Sequence, residues 1–177
     1  MKLLLHTCCA PCLIYPLECL RVQGFAPTAY YYNPNIHPFA EYRLRMQAAE
    51  GLAGRMEAKF ICPEYQPQEF LRAVCGNETG KKRCLACWNL RMERSAEFAR
   101  SNGFDYFSTT LLVSPYQDQE ALKKIGASVA AKTGVKFYDE DFRPGFRKAH
   151  ERARSQGIYC QKYCGCIFSL PAGRQGK

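Results

Sequence analysis

The sequence predicts an α/β fold, a mainly parallel five-stranded sheet flanked by helices, with a cysteine-rich segment at its C-terminal end. Three observations carry that expectation. Short apolar runs alternate with longer segments of helical periodicity. Glycine, proline and asparagine punctuate the junctions between them. No internal repeat or compositional break divides the 177 residues, a length suited to one domain. Residues 1–170 are therefore expected to form a single domain, and the polar tail 171–177 (PAGRQGK) is expected to be disordered.

Each element has its own warrant. Lys2 to His6 reads as a short buried strand. Pro11 opens a helix at its first position, and Leu13, Ile14, Leu17 and Leu20 give that helix an apolar face. Pro16 is expected to kink it or cap its first turn, and Gly24 to end it. Pro27 to Tyr32 is the expected second strand, and Asn33 to Pro38 a loop. A helix is expected over Phe39 to Arg55, weakened at its end by Gly51 and Gly54, then a strand over Ala58 to Cys62. A short helix is expected from Pro67 to Val74, then a turn from Gly76 to Gly80. The long helix is expected over Lys82 to Asn102, stopped by Gly103, with the fourth strand over Phe104 to Leu112. Tyr116 to Lys132 is the next expected helix, with Gly134 after it and the fifth strand over Val135 to Tyr138. Arg147 to Gln156 is the last expected helix, and Ile158 to Ser169 reads as irregular.

In a parallel sheet ligands bind beyond the carboxyl ends of the strands, where the strand order reverses. His6 to Cys12 (HTCCAPC), Asn33, Cys62 and Thr109-Thr110 all fall at such ends. Composition narrows the chemistry. Apolar residues make up 47% and charged residues 23%, ordinary for a globular protein. No run of about 18 apolar residues exists to span a membrane, and the apolar start is too short for a signal peptide. A cytoplasmic location is therefore expected. There, 11 cysteines point to metal or redox chemistry rather than a disulfide scaffold. The formal charge of +9 points to an anionic partner, with nucleic acid the obvious class. Lys81 to Arg94 and Arg143 to Arg154 each hold five basic residues against one Glu. Aromatics such as Tyr30, Tyr42, Trp88, Phe142 and Phe146 are interleaved, a mixture that suits phosphates and unstacked bases.

Three cysteine groups carry the chemistry. Cys8, Cys9 and Cys12 follow the first strand directly. Cys84-Leu85-Ala86-Cys87 is a CxxC whose spacing puts both sulfurs on one helical face. Spacing alone leaves metal and redox roles open, including a structural zinc site. Four thiolates are the usual holding set for a cubane iron–sulfur cluster, and Cys8 and Cys9 are the natural partners for Cys84 and Cys87. Cys12 could be a thiol outside that set, a further ligand, or a ligand of another metal. Cys160, Cys164 and Cys166 form the third group, which could be a redox pair, a metal loop or surface thiols. Cys19, Cys62 and Cys75 are isolated and expected to be structural. There is no GxxxxGK[ST] loop and no GxGxxG after a strand, which argues against ATP and against a nicotinamide cofactor held by the usual fingerprint.

LLHTCCAPC, YNPNIHPFAEY, CLACWNLRME, STTLLVSPYQD and YCGCIFS, in order from residue 3 to residue 169, resemble the QueH type of epoxyqueuosine reductase. The resemblance implies a cobalamin-independent enzyme that reduces epoxyqueuosine to queuosine at the wobble position of tRNA. It implies that Cys8, Cys9, Cys84 and Cys87 hold a [4Fe-4S] cluster and that Cys164 and Cys166 are a redox-active pair. An additional iron is implied as an option, with Cys12 its expected extra thiol. The implied fold resembles the adenine-nucleotide α-hydrolase (HUP-like) type. The reaction would then be a two-electron deoxygenation of an epoxide to an alkene, with an electron donor that the sequence does not identify. His37, Tyr116 and Asp118 are the candidate proton donors, and Arg43, Arg45 and the basic stretches are expected to hold the anticodon arm. Two rivals are an ATP-dependent tRNA sulfur-transfer enzyme and a zinc-stabilised RNA-binding module.

Overall fold

The computed structural model describes residues 1–169, so the expected tail over 171–177 lies outside the described residues. Five strands, β1 (Lys2–His6), β2 (Ala26–Tyr30), β3 (Lys59–Ile61), β4 (Tyr106–Thr109) and β5 (Lys136–Phe137), form one sheet in the order β3-β2-β1-β4-β5. Every pairing is parallel. Six α-helices connect them: α1 (Ala10–Val22), α2 (Phe39–Arg55), α3 (Pro67–Val74), α4 (Gly80–Ser101), α5 (Gln119–Thr133) and α6 (Phe146–Ser155). The expected α/β class and the five parallel strands are what the chain adopts.

β1 lies at the centre, with helices over both faces. Helix α1 packs against α2 and α6, while α4 packs against α3, α5 and the strands β1 and β4. Leu3, Leu4 and Leu5 are consequently all fully buried. A strand covered on both sides reads as a continuous apolar run, and each such leucine contributes about 1.5–3 kcal/mol of burial. The order reverses at β1, whose carboxyl end lies between those of β2 and β4, with His6 in register with both Tyr30 and Thr109.

Element ends differ from expectation where side chains terminate them. Strand β4 stops at Thr109 because its side chain accepts from the Leu111 N–H and starts a 3₁₀ turn, Thr110–Val113. Helix α5 starts at Gln119 rather than Tyr116 because Asp118 caps it, its Oδ1 accepting from Ala121 N at 3.0 Å. Pro16 falls in the second turn of α1, and Pro11 occupies the first. Helix α4 begins two residues early, at Gly80, which brings Lys81 into its first turn.

Candidate active site

The C-terminal edge of β1 carries the first thiol group. Cys8 follows the strand, Cys9 caps α1 and Cys12 lies in its first turn. Their sulfurs all lie within 4.8 Å of one another, so the three could hold a metal ion. Cys8 Sγ is 3.7 Å from Cys9 Sγ. Thr110, just beyond β4, embraces Cys8 from both sides. Its Oγ1 accepts from the Cys8 N–H at 3.0 Å and donates to Cys8 Sγ at 3.2 Å. Hydrogen bonds from Cys12 and Cys9, helped by Arg91 and Thr110, hold the Cys8 thiol well below the usual range. Burial pushes Cys9 up, and sharing hydrogen bonds with Cys8 and Cys9 pushes Cys12 up. The trio thus carries one negative charge most readily, on Cys8.

Cys8 and Cys12 open onto a cavity of about 570 Å³ that Cys84, Cys87, Cys164 and Cys166 also line. Cys84 and Cys87 come from the start of α4, one turn apart as their spacing requires. Burial raises the buried Cys87 thiol to about 11, with Arg91 opposing it. Cys9 does not line the cavity, and its sulfur accepts from Gln161 Nε2 at 2.9 Å. All eleven cysteines are free thiols.

Cationic groups surround these sulfurs. Arg45, Lys81, Arg83 and Arg91 all reach the cavity wall. Arg91 is buried, one turn beyond Cys87, with Nη2 donating to Asn33 Oδ1 at 2.7 Å. Its Nε donates to His6 Nε2 at 3.3 Å. That contact belongs to the His6 tautomer with its proton on Nδ1, where Thr109 Oγ1 lies 2.8 Å away; in the other tautomer Nε2–H donates to the Tyr32 carbonyl at 3.2 Å. Burial, then the charge of Arg91, lowers His6 to about 3, so the ring stays neutral and can accept.

Cys164 and Cys166 lie on a segment strapped over α2. Arg45 Nη2 and Nη1 donate to the carbonyls of Tyr163 (2.9 Å) and Cys164 (3.2 Å), while Nε donates to Glu41 Oε1 at 2.7 Å. Tyr159 Oη donates to the other Glu41 oxygen at 2.6 Å. The Arg45 guanidinium also lies 5.1 Å from the Tyr163 ring centroid. Gly165 sits at φ +104, and a Cβ there would come within 2.8 Å of Ile36 Cγ1. Only glycine fits that conformation and that approach.

The expected site residues separate. Tyr116 and Asp118 line the cavity mouth, whereas His37 does not line it. The His37 ring packs 5.6 Å from Phe70, with Nδ1 2.9 Å from the Asn35 carbonyl. Arg43 is exposed, but Arg45 is only 2% exposed and committed to Glu41 and the strap. It therefore cannot grip RNA as expected, because the cysteine-rich segment covers it. Cys62 and Cys75 are exposed rather than packed in the core, and Cys19 and Cys160 are half-buried. Sequence reasoning assigned no role to His6 or Gln161, and it counted Arg91 only within the basic stretch expected to hold the anticodon arm. Arg91 was legible in principle, since positions 84, 87 and 91 share a helix face. Gln161 carries no such signal.

A sequence model described as epoxyqueuosine reductase QueH matches residues 3–172. Three proteins named epoxyqueuosine reductase QueH align over nearly the whole chain. The protein from Dehalococcoides mccartyi is 37% identical, covering 95% of this chain and 92% of its own. Its counterpart in Thermotoga maritima is 36% identical, covering 97% and 92%. That of Streptococcus pyogenes is 35% identical, covering 95% and 70%. Among solved structures, one described as a predicted subunit of tRNA methyltransferase from Methanocaldococcus jannaschii superposes with a TM-score of 0.61 at 12% identity. It covers 87% of this chain and 74% of its own, a likeness of fold alone. The match of the family model over residues 3–172 and the full-length relatives at 35–37% identity place the chain: it belongs to the epoxyqueuosine reductase QueH family.

Proposed function

We propose that this protein reduces epoxyqueuosine to queuosine in tRNA, using a [4Fe-4S] cluster held by Cys8, Cys9, Cys84 and Cys87. The observation that carries the reading is the convergence of three separate thiol groups on one cavity at the strand-order reversal. The donor set fits such a group. Cys8, Cys84 and Cys87 face the cavity from two chain segments as free thiols, Cys9 Sγ lies behind them 3.7 Å from Cys8 Sγ, Cys8 is predisposed to be thiolate, and Arg83 and Arg91 offset the negative charge that four thiolates bring. When bound, the cluster would supply single electrons at low potential. Cys164 and Cys166, on the strap, are the thiol pair that recharges the site. Cys12, within 4.8 Å of the Cys8 and Cys9 sulfurs, is a thiol able to reach further metal.

Deoxygenation consumes two electrons and two protons per epoxide and releases the oxygen as water. The chain's own residues prepare that step. Arg91, oriented by neutral His6 and Asn33, puts a fixed positive charge at the cavity wall, where it would stabilise charge developing on the epoxide oxygen. Asp118 is a poor proton donor. A hydrogen bond from Lys81, whose Nζ lies 2.6 Å away, holds its carboxyl below the usual range, so it stays ionised while capping α5. Phosphates of the anticodon arm would meet the exposed Lys82, Arg147, Lys148 and Arg154. Arg147 also pairs loosely with Glu151 at 3.4 Å, and Arg94 and Arg152 are tied to Glu69 and Glu18. No helix of the described residues is long and apolar enough to cross a membrane.

Anaerobic reconstitution with iron and sulfide, followed by nucleoside analysis of epoxyqueuosine-containing tRNA, tests the proposal. Queuosine should accumulate when a chemical reductant is supplied. Cluster-loaded protein that yields none would refute it. A single zinc ion without acid-labile sulfide, in protein purified anaerobically, would refute the cluster.

A further inference from the structure

Tyr116 stands out among the residues around the cavity. It is 84% exposed although aromatic, and it lies at the mouth of the thiol-lined cavity. Its position is built rather than loose. The Tyr116 N–H donates to Ser114 Oγ at 3.3 Å, Gln117 N–H donates to the Ser114 carbonyl at 3.3 Å, and Gln119 Nε2 donates to that same carbonyl at 2.9 Å. Asp118, two residues on, ties the turn to α4 through Lys81. The ring is backed edge-on by Phe146 at 5.8 Å, and Phe146 in turn lies 4.1 Å from the His150 ring. Phe146 opens α6, whose buried face is Ala149 and Ala153 and whose outer face carries Arg147, Lys148 and Arg154. An aromatic ladder therefore runs from a basic helix to the lip of the cavity, with its last rung in solvent.

We infer that Tyr116 is a stacking platform for an unpaired nucleobase of single-stranded RNA, the neighbour of the nucleotide that enters the cavity. This rests on the proposed action on an anticodon loop. Chemistry on a base in RNA requires that base to leave its stack, which strips its neighbour of one stacking partner. An aromatic face at the cavity lip replaces that partner, and cations on the adjoining helix take the phosphates of the same strand. The role needs the ring and not the phenolic hydroxyl, which separates it from proton donation.

The test uses full-length protein and a synthetic anticodon stem–loop RNA, intact or with an abasic residue on either side of the wobble position, with binding read by fluorescence anisotropy. Y116A should weaken binding to the intact loop by roughly 5- to 100-fold, while Y116F and Y116W bind as wild type. One abasic loop should lose a similar factor against wild type and lose little further against Y116A. Circular dichroism confirms that the variants fold, as expected at so exposed a position. Unchanged binding by Y116A, or additive losses from Y116A and each abasic loop, would overturn the inference. So would Y116F losing as much binding as Y116A, which would assign the contact to the hydroxyl instead of the ring. Epoxyqueuosine turnover by the wild type keeps the two readings apart. If queuosine forms while Y116A binds normally, only the platform fails; if no queuosine forms, the functional reading fails, and the binding cycle still decides whether the ring stacks on RNA.

Discussion

Replacing Arg45 by methionine should loosen the strap that carries Cys164 and Cys166. The side chain is 2% exposed and its partner Glu41 is 11% exposed, so the pair is buried. Methionine keeps most of the volume but removes the charge and the donors to Glu41 Oε1 and to the Tyr163 and Cys164 carbonyls. Removing one partner of a buried ion pair costs about 3–5 kcal/mol, because the other charge is left uncompensated. Tyr159 Oη still donates to Glu41, which favours the low end, about 3 kcal/mol. In a chain of 177 residues each kcal/mol moves Tm by about 2–4 °C, so Tm should fall by roughly 6–12 °C. Circular dichroism melting measures that loss, and hydrogen exchange across residues 158–169 shows whether the strap opens first. The double variant E41Q/R45M should regain part of the stability, since neither charge then remains buried alone. A single variant with wild-type Tm and wild-type exchange over 158–169 would refute the assignment of Arg45 as the clamp.

Three further outcomes follow from the same geometry. G165A should cost about 1–3 kcal/mol and raise exchange over the strap, because φ +104 and the contacts to Ile36 and Arg45 both exclude a Cβ; unchanged melting would argue against that backbone. T110V leaves the Cys8 N–H without its acceptor and Cys8 Sγ without its donor, so reconstituted protein should release iron to a chelator about 10- to 100-fold more readily, and equal retention would count against Thr110 as a support of the thiol site. At Glu69 burial opposes ionisation, but the Tyr32 hydroxyl and Arg94 outweigh it and hold the carboxyl below its usual 4.5, so its stabilisation is present above that pH and lost as pH falls through the lower folded value. E69Q should therefore be less stable than wild type near neutrality, with the gap in Tm closing below about pH 4.5; a gap that stays constant with pH would exclude the charge as its cause.

The fold was legible because a sheet covered on both faces leaves unbroken apolar runs such as Leu3 to Leu5, and because breakers separate them. Element ends were less so. Thr109 and Asp118 end or start elements through their own side-chain hydrogen bonds, and both residue types are also common inside loops. At the site, the CxxC spacing on one helix announced itself, yet the company each thiol keeps is tertiary. Glu41 and Arg45 show why: on sequence they are an ordinary i, i+4 pair on a surface helix, and only the fold of residues 159–165 over α2 buries them. His6 and Arg91 lie 85 positions apart, so their contact has no local signature. Tyr116 was read as a candidate proton donor, and its exposure and edge-on backing by Phe146, 30 residues on, are tertiary facts with no local signature.

The thiols after β1 answer an electrostatic demand set by the fold. The start of α1 lies at the strand-order reversal, and its first turn contains no acidic residue. Such a terminus favours negative charge. Here the nearest negative charge the chain can supply is a thiolate, and Cys8, one residue before the cap, is the thiol predisposed to carry it. Arg91 reinforces that choice from α4, and neutral His6 holds Arg91 in place without competing with it for charge. The sheet edge at the strand-order reversal, where parallel sheets open their ligand crevice, therefore offers a thiolate to whatever enters between β1 and β4.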